Sequence, residues 1–71
     1  MSRWGSRKAR VVLRAILKTG WAIKEEKGSS HKQLERPGWG EYTWAFHDNV
    51  EIGPKMLARI AKRTGITPED L

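Results

Sequence analysis

Cysteine is absent from this 71-residue chain. That excludes disulfide staples and thiolate zinc sites, and it argues against a secreted mini-protein. Histidine is scarce: there are two, His31 and His47, a poor basis for a metal centre, and neither a metal nor a small-molecule cofactor is expected. No apolar run approaches the ~18 residues that a membrane-spanning helix needs, and the first residues lack the apolar stretch of a signal peptide. The expected setting is the cytoplasm, with no membrane partner. Internal repeats, linkers and a second domain are also missing, so residues 1–71 read as one small domain with residues 1–5 as a loose basic tail. Chains of this size bury only about 60% of their unfolded surface, which leaves room for a thin core and not for a deep catalytic cavity.

Acidic residues are missing from the first third. Arg3, Arg7, Lys8, Arg10, Arg14 and Lys18 all precede the first acid, Glu25, and the whole chain carries 14 Lys and Arg against 8 Asp and Glu, a net charge of +6. A small surface with this field attracts polyanions and binds them in a salt-dependent way. Charge alone also fits a basic, solvated face.

What is present has clear periodicity. Ser6 is placed to cap a helix running to about Thr19, in which Ala9, Val12, Leu13, Ile16 and Leu17 share one face and Arg7, Arg10, Arg14 and Lys18 the other. Gly20 suits the end of that helix. Residues 21–27 alternate as a strand with Trp21 and Ile23 on one side, Gly28-Ser29 forms a turn, and residues 30–36 form a second strand. Pro37-Gly38-Trp39-Gly40 breaks the chain before a third strand over residues 41–47, whose Tyr42, Trp44 and Phe46 share a face. Those aromatics are assigned mainly to the core, while Trp39 suits either packing at the sheet edge or an exposed anchor for a partner. Pro54 opens a second helix that reaches Thr64, with Met56, Leu57, Ile60 and Ala61 as its buried stripe and Gly65 at its end. Thr67-Pro68-Glu69-Asp70 has the signals of one more helical turn. The order α-β-β-β-α predicts an α+β fold, a three-stranded antiparallel sheet with both helices on one face.

Strand alternation then decides what the open face carries. If Leu34 points to the helices, Lys32 shares its side, and His31, Gln33 and Glu35 point to solvent. An imidazole can take or give a proton at physiological pH, which few side chains do unassisted. His31, at the start of a strand on an open face, is therefore the first candidate for chemistry, although an isolated strand histidine is more often a plain surface residue.

Several segments carry a resemblance in their order and spacing: Arg10, the exit from Leu17 to Gly20-Trp21, the Gly28-Ser29-Ser30-His31 turn, and Phe46-His47-Asp48 through Leu57, Ile60 and Gly65-Ile66. Together they resemble the HicA-like toxins, small ribonucleases of bacterial toxin–antitoxin pairs with a double-stranded-RNA-binding-domain-like fold. The resemblance implies that His31 is the catalytic histidine, that the substrate is messenger RNA, and that a HicB-like antitoxin neutralises the protein by covering the basic, histidine-bearing surface. Many members place histidine directly after Gly-Ser, where this chain has Ser30. Counted back from Leu34 and Arg36-Pro37-Gly38-Trp39 the spacing is normal, as if one residue were inserted near Glu26 or Lys27 and taken up by a bulge at the strand's start.

The expected chemistry needs no metal. A neutral His31 takes the proton of an RNA 2′-hydroxyl as that oxygen attacks the adjacent phosphate, and nearby cations stabilise the charge that develops. Lys32 is the first choice for that role if its stem reaches the sheet edge, followed by Lys24 and Arg36. His47 matches a position where the family often has histidine and is a further candidate for RNA contact. Two other readings fit the same residues: a non-catalytic double-stranded-RNA-binding module, and a degenerate toxin relative that only binds its partner.

Overall fold

The computed structural model describes residues 4–28 and 30–71. The first three residues of the expected tail and Ser29 of the turn lie outside the described residues. Trp4, the first described residue, packs against the core.

The elements run β1 (Arg7–Lys8), α1 (Ala9–Lys18), β2 (Ala22–Lys27), β3 (His31–Arg36), β4 (Gly40–Trp44), β5 (Glu51–Ile52), α2 (Pro54–Thr64) and a final 3-10 turn (Pro68–Asp70). Strands β2, β3 and β4 form the expected antiparallel sheet with β3 in the centre. Leu34 and Trp44 from its inner face join Val12, Leu13 and Ile16 of α1 and Leu57 and Ile60 of α2 in one buried cluster. Both helices therefore cover the same face, and the fold is the α+β arrangement expected from the pattern.

The start of α1 differs from expectation. Ser6 does not cap it: Lys8 is the N-cap residue and makes no side-chain cap. Arg7 and Lys8 instead pair with Ile52 and Glu51 in a second, two-stranded sheet. Ala9 N–H donates to Val50 O at 2.8 Å and Arg10 N–H to Asp48 O at 3.1 Å. Backbone carbonyls from a distant loop thus satisfy donors that a serine hydroxyl would otherwise take.

One apolar assignment also changes. Met56 is 39% exposed, because the stripe of α2 that meets the core runs through Leu57, Ile60 and Thr64. Thr64 is fully buried and its hydroxyl donates to Ile60 O at 2.8 Å, so a polar side chain fits the stripe without an unmet hydrogen bond. Ile23 lies opposite Leu34 on the inner side, but on an edge strand where it remains 39% exposed. Strand β4 ends at Trp44, not at His47.

Trp39 unites the two roles open to it. It is 47% exposed, yet its ring centroid lies 6.4 Å from that of Trp21 and 5.3 Å from the Arg36 guanidinium carbon. Trp21 is itself buried, and its indole N–H donates to Thr64 O at 2.9 Å, tying the start of the sheet to the end of α2.

Candidate functional site on the open face of the sheet

Register fixes the outer face. Pairing runs Lys27 with His31, Glu25 with Gln33, and Ala22 with Glu35 on one side of β3, then Gln33 with Thr43 and Glu35 with Glu41 on the other. Directly opposed residues point the same way, so these side chains share the face that no helix covers. Glu26, Lys32 and Trp44 form the neighbouring inward row. A register irregularity falls between Ile23 and Glu25, at Lys24. The extra residue is therefore taken up within β2, four residues before the turn, and His31 keeps its outward direction.

A polar lattice spans this face. Lys24 Nζ donates to Glu41 Oε2 at 2.8 Å, Gln33 Nε2 donates to Glu41 Oε1 at 2.9 Å, and Thr43 Oγ1 donates to Gln33 Oε1 at 2.8 Å. The hydrogen bond from Lys24, then that from Gln33, hold the Glu41 carboxyl below the usual carboxylate range, and the hydrogen bond to Glu41 raises the Lys24 ammonium. With its partners fixed in this way, the Gln33 amide forms a defined floor beside His31.

His31 is exposed at the hairpin end of that floor. It lines a hollow of 340 Å³ with Glu25, Lys27, Lys32, Gln33 and Thr43, near the lower end of the ~300–1,000 Å³ typical of small-ligand sites. Ser30 is buried at 8% exposure, and its Oγ lies 3.4 Å from His31 Nδ1. A Nδ1–H directed at that hydroxyl leaves Nε2 with its lone pair for a substrate proton. Lys27 stands opposite His31 and is ion-paired to Glu25 at 3.6 Å. Lys32 keeps 13% of its side chain exposed and meets Glu26 at 3.8 Å.

Of the cations singled out from sequence, Lys32 reaches the His31 hollow and Lys24 and Arg36 do not line it. Lys24 is held in the Glu41 pair. Arg36 ends β3 five residues from His31, about 17 Å along an extended strand, and stacks on Trp39. His47 is exposed in the loop after β4, and its carbonyl accepts from Val50 N–H at 3.1 Å. Lys27 was not singled out, and its signal was the hairpin itself: a three-residue connection sets residue 27 opposite residue 31. Among the described residues, no three His, Cys, Asp or Glu side chains gather as a metal site, and no helix is long and apolar enough to cross a membrane.

No curated protein and no solved structure matches the chain significantly. A family model does, that of the HicA toxin of bacterial toxin–antitoxin systems, over residues 9–66. That match takes in both helices, all three strands of the main sheet and the whole lining of the His31 hollow. By this correspondence across nearly its full length, the chain belongs to the family of HicA toxins.

Proposed function

We propose that this HicA toxin is a metal-independent endoribonuclease of messenger RNA that acts in the bacterial cytoplasm with His31 as its general base. The observation that carries the reading is the outward position of His31 in a hollow that Lys27 and Lys32 also line. As His31 Nε2 takes the 2′-hydroxyl proton, the 2′-oxygen attacks phosphorus and the bond to the 5′-oxygen breaks. The products are a 2′,3′-cyclic phosphate and a 5′-hydroxyl, the leaving oxygen taking its proton from solvent. Such a base step is typically worth ~10² to 10⁴ in rate. Lys27 and Lys32 offer positive charge to the phosphate as its oxygens gain negative charge. Lys24, Arg36 and His47 are left to more distant parts of the RNA. A HicB-like antitoxin neutralises the toxin by covering this histidine-bearing face.

The test is cleavage of RNA by the wild type and by His31→Ala in the presence of a chelator, with RNA binding followed in parallel. Cleavage lost in the variant while binding persists is the expected result. Binding without cleavage by either protein would overturn the assignment and favour a non-catalytic RNA-binding module or a degenerate toxin.

A further inference from the structure

A second hollow, of 440 Å³, runs along α1 on the other side of the sheet from His31. Arg10, Arg14 and Lys18 edge it, Leu13 and Leu17 line it, and Lys32 and Asp48 complete its wall. The three basic residues recur every four positions and therefore rise along one side of the helix at about 6 Å intervals. Lys32 lines this hollow and the His31 hollow alike. The two spaces are thus neighbours round the end of the sheet, with one ammonium group at their junction.

The groups along this hollow are not equivalent. Arg10 donates to Asn49 Oδ1 at 3.2 Å, and Asp48 brings a negative charge to the wall. Arg14 and Lys18 are exposed, and among the described residues neither has a hydrogen-bond or ion-pair partner for its side chain. Most other lysines around the sheet differ: Lys8, Lys24, Lys27 and Lys32 each meet a glutamate. Unpaired cations beside the partly exposed Leu17 suit a ligand that alternates phosphate with an apolar face, which describes a nucleotide chain.

We propose that this groove is a second RNA-contact site, in which Lys32, Arg14 and Lys18 hold successive phosphates of a single strand leaving the His31 hollow. The inference rests on the ribonuclease reading for its entry point. Passage from the outer face of the sheet to the helix side requires a bend round the sheet end at Lys32. A flexible single strand makes that turn and a stiff A-form duplex does not. Leu17 then meets a base or ribose between the phosphate contacts.

The experiment compares binding of a fluorescent single-stranded RNA by His31→Ala with and without Arg14→Gln and Lys18→Gln, across a salt series. The same pair of substitutions in the active protein gives kcat and KM. Expected are a loss of binding of roughly tenfold or more, a fall of about 1.4 in the salt slope for two phosphate contacts on a single strand, a raised KM, and little change in kcat. A duplex of the same sequence competes poorly. Arg59→Gln with Lys62→Gln on α2, outside both hollows, provides the charge control and retains wild-type binding. An unchanged affinity and slope in the α1 variant, or an equal loss in the α2 variant, would overturn the proposal. So would loss of antitoxin affinity with RNA binding intact, which would assign the stripe to a protein partner. Should the wild type cleave no RNA while the α1 variant still loses binding, the ribonuclease reading fails and the groove stands. Intact cleavage with an unaltered KM in the α1 variant sinks the groove alone.

Discussion

Replacing Gly65 with alanine strikes the joint between α2 and the β3–β4 turn. Gly65 closes α2 at φ 82°, in the left-handed region, with its N–H donating to Ala61 O at 2.7 Å. A β-carbon built there falls 2.6 Å from Trp39 Cη2 and 2.9 Å from Trp39 Cζ2. Two costs therefore add. The left-handed backbone costs a non-glycine residue about 1–2 kcal/mol. Trp39 must also retreat, loosening its contacts with Trp21 and the Arg36 guanidinium, each worth about 0.5–1.5 kcal/mol. The sum is about 2–5 kcal/mol, which in a domain this small lowers Tm by roughly 8–40 °C. Urea and thermal denaturation measure it directly, and a double-mutant cycle with Trp39→Ala separates the two parts. In the Trp39→Ala background only the backbone cost of about 1–2 kcal/mol should remain. An equal cost of Gly65→Ala in both backgrounds would refute the steric half of the reasoning.

Three further outcomes are expected. Trp21→Phe removes the buried donor to Thr64 O and leaves that carbonyl unmet, at a cost of about 1–3 kcal/mol in denaturant titrations. Ser30→Ala removes the hydroxyl beside His31 Nδ1 and lowers kcat about 3- to 10-fold, the worth of one neutral hydrogen bond, with rescue by Ser30→Thr. Glu41 is held below its ordinary range by Lys24 and Gln33, so its contribution to stability is present above the unfolded carboxyl's titration and is lost as pH falls through the folded one. Stability of Glu41→Gln should consequently fall less on acidification than that of the wild type. Lys24, raised by the same contact, contributes below its unfolded titration and loses that contribution as pH rises through the folded one, and in both directions the effect is small and salt-sensitive because the pair is exposed.

Elements long enough to show a period were legible in the sequence. The apolar stripe of α1, the alternation around Leu34 and the proline and glycine that bound α2 each express a local rule. The pairing of Arg7–Lys8 with Glu51–Ile52 does not, since two-residue strands have no period and exist only because a distant loop returns to meet them. Met56 misled because helical spacing gives the angular width of a stripe and not which edge the sheet covers. At the site, alternation from Leu34 was enough to direct His31 outward. Lys27 needed the hairpin register as well, and the link from the basic stripe of Arg14 and Lys18 to the His31 hollow needed the three-dimensional fact that Lys32 borders both.

The start of α1 has a consequence for how the protein is made. The helix has ten residues, fewer than the ~12–15 at which an isolated helix becomes even marginally stable in water. Its first donors wait for carbonyls of Asp48 and Val50, and the Trp21 indole waits for Thr64. A growing chain consequently has no durable first half on the ribosome: helix, sheet and basic groove become stable together, once the second helix has been made. A product ending before the second helix therefore lacks Leu57 and Ile60 of the core and the carbonyl that holds the Trp21 indole.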